Sequence, residues 1–253
     1  MKKPKIEKLN GFKKVYSLRD RYGIERVCSF NNPAFIYHMQ EREWEILKLF
    51  RSQQVVLEGV HVFEVGCGTG HILQRFLEFG ATEAAGIDLL KNRIEMERIK
   101  YPNVRLIHGN AAEIPCEDNS FDIVMQFMCF SSILDSGLRE KIASEMWRIT
   151  KPGGVILFYD MRPVPGVIKI MSRIQKNLFR RAHRDTLPKT PIAPLTIKDI
   201  KGLFPDGIFS YRSVSLLFKL AQISDKSHLT AEFLSSFPAL RTHNLVLIRK
   251  ISK

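Results

Sequence analysis

The stretch from His61 to Gly70 constrains the fold of this chain more than any other. It runs from apolar, β-prone residues into three glycines at alternate positions, Gly66, Gly68 and Gly70. Apolar residues then recur at helical spacing up to Phe79, so the pattern predicts a buried strand, a tight turn and a helix. Glycine can adopt positive φ in such a turn, and its bare backbone lets a ligand approach the N–H groups at the helix N-terminus. The spacing differs from the dinucleotide-binding pattern G-x-G-x-x-G, whose third glycine comes one residue later.

A second short apolar run ends in Asp88, eighteen residues after the last of these glycines. A carboxylate at the C-terminal tip of the second parallel strand can bind ribose hydroxyls. Further strand-like runs end at His108 and Gln126, and a fifth follows the turn at 152–154. Because strands alternate with helical segments over 55–160, the pattern predicts a parallel sheet with right-handed crossovers.

These five elements resemble, in order and spacing, the class I S-adenosylmethionine-dependent methyltransferases. The resemblance covers about residues 55–160 and is closest to the type 11 branch, which includes quinone-, glycan- and lipid-modifying members. It implies an α/β fold, with a Rossmann-like, seven-stranded, mostly parallel sheet and helices on both faces. It also implies that the last strand, near 241–249, runs antiparallel between the fifth and sixth strands.

The flanking segments divide the chain into an N-terminal arm with a cleft helix, 1–53, and a methyltransferase domain, 54–253. Apolar residues at helical spacing over 34–50 predict the cleft helix. Residues 160–208 are too long for a simple crossover and contain a basic amphipathic stretch. That stretch could cover the cleft as a lid or lie in the interface of an anionic membrane, and both roles remain open. Residues 218–236 are expected to be helical.

The resemblance implies a set of residues around S-adenosylmethionine. The glycines would cradle its methionyl part, Glu64 would orient its ammonium group, and Asp88 would accept two hydrogen bonds from the ribose diol. The alternatives are a strand acid satisfied by backbone N–H groups for Glu64 and a helix N-cap for Asp88. Asn110 stands where many relatives carry an acid that contacts the adenine amino group, so charge assistance is absent there. The implied cofactor-binding residues are Glu64, Gly66, Cys67, Gly68, Gly70, Asp88, Leu89, Asn110, Ala111, Gln126 and Phe127.

Methyl transfer demands little chemistry from the protein, because the sulfonium already activates the methyl carbon. The enzyme has to align the reactants, exclude water and remove a proton where the acceptor is a hydroxyl group. We expect His243, His38 or Asp160 to act as the base, in that order, although each could equally be a structural hydrogen-bonding group. No metal is required, and the four cysteines show neither a CxxC pair nor metal-ligand spacing.

The net charge of +13 favours an anionic partner such as a membrane surface, a phosphorylated substrate or a nucleic acid. Nucleic acid is disfavoured as a substrate, because residues 126–130 replace the Asp/Asn-Pro-Pro-Tyr motif of amino-methylating enzymes. Cys129 also lacks the neighbouring proline of cytosine C5 methylation. A small-molecule, glycan or lipid-linked acceptor, methylated at oxygen or carbon, is therefore expected.

No apolar run is long enough to span a bilayer, and the basic N-terminus has no apolar stretch of a secretory signal. These features predict a cytoplasmic protein, located at the inner face of the membrane if the basic stretch binds lipid. The sequence is also compatible with two other functions. One is a nicotinamide-dependent oxidoreductase, and the other is a non-catalytic binding protein on the same fold.

Overall fold

The computed structural model describes residues 31–163, Gly166 and 192–251. The predicted arm and the basic amphipathic stretch of the lid lie outside these residues. The described chain forms two compact units. The larger comprises residues 44–163, 192–214 and 243–251, and the smaller comprises residues 31–43 and 215–242.

A sheet of seven strands organises the described chain. Its order is β3-β2-β1-β4-β5-β7-β6. Strands β1 to β5 pair in parallel where they are neighbours, and β7 pairs antiparallel with β5. The predicted Rossmann-like sheet, with its last strand inserted between the fifth and sixth, is confirmed. The strands are β1 His61–Val65, β2 Glu83–Asp88, β3 Arg105–His108, β4 Phe121–Phe127, β5 Thr150–Met161, β6 Gly207–Leu216 and β7 Arg241–Lys250.

Helices pack on both faces of this sheet. Successive residues of a strand point to opposite faces, so Val62 packs with Phe50 and Phe76 in one apolar cluster. Phe63 packs with Met146 in the other cluster. The double-sided core explains why the central strands are apolar at nearly every position. The helices are α1 Pro33–Ser52, α2 His71–Glu78, α3 Lys91–Lys100, α4 Ser136–Ile149, α5 Ile197–Leu203, α6 Phe218–Ala221 and α7 His228–Ser235.

The helical segment expected over 218–236 is divided into three pieces. Helix α6 ends at Ala221, a 3₁₀ turn covers Gln222–Asp225, and α7 begins at His228. Ser227 has an extended backbone, and its hydroxyl accepts a hydrogen bond from the N–H of Thr230 at 3.2 Å. Because this hydroxyl satisfies an N–H at the start of α7, it favours a new helix start over continuation of the previous helix.

Candidate functional site

The turn between β1 and α2 contains three glycines in the left-handed region. Their φ angles are 70° for Gly66, 52° for Gly68 and 71° for Gly70. The N–H groups of Gly66 and Cys67 donate to the carbonyl oxygen of Ile87, at 2.8 and 3.1 Å. The turn is therefore bonded directly to the end of β2, beside the position of the predicted ribose-binding acid.

The three glycines differ in what surrounds them. A Cβ atom on Gly66 would lie 2.8 Å from the Sγ of Cys129, and one on Gly70 would lie 3.2 Å from a methyl group of Leu106. A Cβ on Gly68 would meet no heavy atom within 4 Å. Gly66 and Gly70 thus allow close packing of the protein on itself, whereas Gly68 faces open space that a ligand can fill.

Asp88 lies against this open glycine. Its Oδ2 accepts a hydrogen bond from the N–H of Gly68 at 2.9 Å, and its Oδ1 accepts one from the N–H of Leu90 at 2.8 Å. The N-cap position of α3 belongs to Leu90 rather than to Asp88. The glycine turn after β1 and the acid at the end of β2 are therefore joined by a direct hydrogen bond, and their contacts with a cofactor stay a prediction.

Three carboxylates make the C-terminal ends of the parallel strands electronegative. Glu64 is buried in β1 and Asp160 is buried in β5, while Asp88 is half-buried. Burial raises the pKa of the Cys129 thiol above its ordinary value, and the charges of all three acids raise it further. Burial likewise raises the pKa of Cys67, with added effects from Glu64 and Asp88. These thiols stay protonated and are poor nucleophiles, and the negative potential around them favours a cationic ligand.

Asp160 stabilises the turn that follows β4. One of its carboxylate oxygens accepts from the N–H of Ser131 at 3.0 Å, and the other accepts from its neighbour Met161 at 2.7 Å. Burial raises the pKa of this carboxyl group, and the hydrogen bonds from Ser131, Met161 and Phe130 oppose that rise. The structure thus gives Asp160 a positioning contact; its role as a base stays a prediction.

Gln126 stabilises the same turn from the end of β4. Its side chain is fully buried, its amide nitrogen donates to the carbonyl of Tyr159 at 3.2 Å, and its amide oxygen accepts from the N–H of Cys129 at 2.9 Å. Met128, which lies within this turn, has a positive φ of 59°. Both ends of the amide are thus engaged with protein, and its contact with a cofactor stays a prediction.

Three aromatic rings form a row across β4, β5 and β7. The ring of Phe127 lies 5.7 Å from that of Tyr159, and Tyr159 lies 4.9 Å from His243 with an angle of 4° between the ring planes. Phe127 pairs with Tyr159 in register, and His243 pairs with Met161. The sequence pointed to Phe127 and His243 but missed Tyr159 between them. The register of the antiparallel last strand, combined with the position of Tyr159 near the end of β5, could have indicated it.

Comparison with known proteins identifies the domain that carries these features. Residues 63–158 match a family model described as a methyltransferase domain. Residues 63–158 therefore form a methyltransferase domain.

Relatives at moderate identity support this identification. A demethylmenaquinone methyltransferase from Listeria monocytogenes is 33% identical over 171 residues, which are 63% of each chain. A protein from Mycolicibacterium smegmatis, named a probable S-adenosylmethionine-dependent methyltransferase, is 33% identical over 115 residues, which are 43% of each chain. The chain therefore spans less than two thirds of the length of the curated relatives it matches.

Solved structures support the fold. An S-adenosylmethionine-dependent methyltransferase from Methanosarcina mazei superposes with a TM-score of 0.56 at 16% identity. The superposition covers 78% of this chain and 94% of that chain. At this identity, the likeness concerns the architecture of the methyltransferase domain alone.

The loops after β2 and β3 of the methyltransferase domain lie side by side. The N–H of Gly109 donates to the backbone carbonyl of Asp88 at 3.0 Å, and the Oδ1 of Asn110 accepts from the N–H of Ala112 at 3.0 Å. Leu89 and Ala111 are both half-buried. Three of the predicted cofactor residues, Leu89, Asn110 and Ala111, therefore come from two adjoining loops, and their contacts with adenine stay a prediction.

His38 belongs to the smaller unit. Its Nε2 lies 2.5 Å from the carbonyl oxygen of Leu216. Because a carbonyl oxygen only accepts, Nε2 carries the proton and Nδ1 is the basic nitrogen. Burial lowers the pKa of His38, the charge of Arg42 lowers it further, and the bond to Leu216 opposes both. His38 is thus a neutral imidazole near neutral pH, and its role as a base stays a prediction.

Within the described ranges, no group of three or more His, Cys, Asp and Glu side chains is arranged to hold a metal ion. Cys67, Cys116 and Cys129 are free thiols.

Proposed function

We propose that this protein transfers a methyl group from S-adenosylmethionine to a small, flat, hydroxylated aromatic acceptor of the quinol type. The observation that carries the proposal is the contact between Gly68 and Asp88 beside open space. The methyltransferase domain supports the donor, and the Listeria relative, named for demethylmenaquinone, supports the acceptor class.

The residues of the site fit the donor in shape and charge. Asp88 is held by the N–H groups of Gly68 and Leu90, so its carboxylate is oriented before a ligand arrives. Its remaining acceptor positions would take the two ribose hydroxyls. Glu64 would orient the ammonium group, and the potential of the three carboxylates complements a sulfonium cation. The bound donor supplies an activated methyl group.

The aromatic row fits a flat acceptor. Phe127 is the last residue of β4, Tyr159 lies near the end of β5, and His243 pairs with Met161 at the end of β5. Ligands bind at this edge of an α/β sheet, where the parallel strands end. An aromatic acceptor ring would pack against this row, and Gln126 and Asp160 would hold the row in place through the turn after β4. His243 would take up the proton that the acceptor loses from a hydroxyl group or a ring carbon.

A pair of glycine substitutions tests the donor site. Gly68→Ala and Gly59→Ala both place a Cβ at positive φ, 52° and 76°, in open space. Both substitutions therefore carry the same kind of backbone strain, about 1–2 kcal/mol, but only Gly68 adjoins Asp88. We expect calorimetry with S-adenosylhomocysteine to show binding to the wild type and to Gly59→Ala, and at least about tenfold weaker binding to Gly68→Ala. Equal binding by both variants would remove Gly68 from the site.

Turnover then separates an enzyme from a binding protein. The wild type is incubated with tritiated S-adenosylmethionine and a reduced naphthoquinone that lacks the ring methyl group. Label in the extracted quinone supports the proposal. Binding of S-adenosylhomocysteine without label in this acceptor, or in added glycan and lipid extracts, would favour a non-catalytic protein. Nicotinamide oxidation by the same acceptors would favour an oxidoreductase.

A further inference from the structure

Helix α7 in the smaller unit exposes two of its three large apolar residues and buries small ones. Ala231 and Ser235 are buried, whereas Leu229 is 78% exposed, Phe233 is 65% exposed and Phe237, just beyond the helix, is 46% exposed. A helix that packs only on its own protein normally buries the larger apolar side chains. The sequence of α7 thus presents a second apolar side that the fold of its unit does not use.

The exposed residues are contiguous. Leu229 and Phe233 are spaced four apart within α7, which places them on one side of the helix, and Phe237 follows two residues after its end. The rings of Phe233 and Phe237 lie 5.3 Å apart in an edge-to-face arrangement. Single exposed hydrophobic residues are ordinary, but a contiguous group marks a surface for interaction. We call Leu229, Phe233 and Phe237 the α7 stripe.

We propose that the α7 stripe docks the protein on an anionic bilayer surface. An amphipathic helix with Leu and Phe on one side can lie in the membrane interface without crossing it. Among the helices of residues 31–163 and 192–251, none has the length and apolarity of a membrane span. Docking in the interface requires neither, because only one side of the helix enters the lipid.

Charge favours an anionic bilayer over a second copy of the chain. The net charge is +13. Residues 1–30 contain nine Lys and Arg against three Asp and Glu, and residues 164–191 contain seven against one. The first of these segments joins the smaller unit directly at residue 31. Two copies with this charge repel each other, whereas an anionic lipid surface attracts them.

This proposal does not depend on methyl transfer. Vesicle binding is measured without donor or acceptor. A protein that does not transfer methyl groups could therefore still bind vesicles, and a protein that does not bind vesicles could still transfer methyl groups. If the protein both binds anionic vesicles and methylates a quinol, docking would bring it to an acceptor that is dissolved in the bilayer.

Vesicle sedimentation with paired variants tests the α7 stripe. The full chain is mixed at low salt with vesicles of phosphatidylcholine containing about one third phosphatidylglycerol, an anionic surface. The test variant is Phe233→Ser with Phe237→Ser. The control is Met96→Ser with Ile99→Ser on α3, where the exposed fractions are 72% and 86%. We expect the test variant to bind at least about tenfold more weakly than the wild type, and the control to bind like the wild type.

Further outcomes decide against the proposal. Equal binding by the test variant and the wild type would show that the basic segments suffice and the α7 stripe does not dock. Binding that is as strong to pure phosphatidylcholine, or unchanged at high salt, would remove the anionic surface as the partner. A wild-type dimer in analytical ultracentrifugation that the test variant abolishes, without vesicle binding, would assign the stripe to a second copy of the chain.

Discussion

The two sides of the proposed site are built in different ways. The donor side, at β1 and β2, consists of backbone N–H groups and carboxylates from the short interval between Glu64 and Leu90. The acceptor side, at β4, β5 and β7, consists of aromatic rings from Phe127, Tyr159 and His243, which lie up to 116 residues apart in the chain. A local sequence pattern can specify the first side. The second exists only where the sheet brings its strands together.

The largest expected effect lies on the acceptor side. His243→Phe keeps an aromatic ring beside Tyr159 but removes the basic nitrogen. We expect kcat with a reduced naphthoquinone to fall about 100-fold, as is typical when a general base is lost. The acceptor KM should stay within about twofold if ring packing is retained. Steady-state kinetics at varied acceptor concentration measures both values.

His243→Ala serves as the comparison for this substitution, because it removes the ring as well as the base. It should raise the acceptor KM in addition to lowering kcat. An unchanged kcat in His243→Phe would rule out His243 as the base and leave only a packing role for its ring.

The second effect lies on the donor side. Asp88→Ala removes a carboxylate that would bind the ribose hydroxyls, so the affinity for S-adenosylhomocysteine should fall roughly ten- to a hundredfold. Asp122→Ala is the matched control. Asp122 stands at the opposite end of the sheet and bonds the N–H of His61 at 2.9 Å and Lys151 at 2.8 Å. The substitution Asp122→Ala should therefore lower the melting temperature and leave the affinity for S-adenosylhomocysteine unchanged.

Calorimetry on both variants distinguishes a site contact from general destabilisation. Equal losses of affinity in Asp88→Ala and Asp122→Ala would mean that the carboxylate of Asp88 only stabilises the fold.

The smallest effect concerns the departure from the family pattern at Asn110. Asn110→Asp restores a charged acceptor beside the predicted adenine position, so the affinity for S-adenosylhomocysteine should rise about two- to threefold. Asn119→Asp adds the same charge at a position bonded to Lys250 at 2.9 Å and should have no effect on affinity. An increase in both variants would indicate that net charge, rather than a contact with adenine, governs the change.

Much of the fold was predictable because its signals are local. The alternate glycines, the acid at the end of β2 and the capping box of α5 each depend on residues within a few turns of one another. At α5 the Oγ1 of Thr196 accepts from the N–H of Asp199 at 3.1 Å, and the carboxylate of Asp199 accepts from the N–H of Thr196 at 2.8 Å. The break between α6 and α7 was missed, because the cap at Ser227 lies inside a segment with helical spacing on both sides.

The sequence by itself determined the glycine turn, the acid beside it and the alternation of strand and helix, since backbone preference and apolar periodicity act over short distances. Only the tertiary structure decided which glycine faces open space. It also decided that Tyr159 lies between Phe127 and His243, and that Phe233 and Phe237 are exposed. These features depend on which distant segments pack together, and strand register and helix orientation are set by the whole core rather than by neighbouring residues.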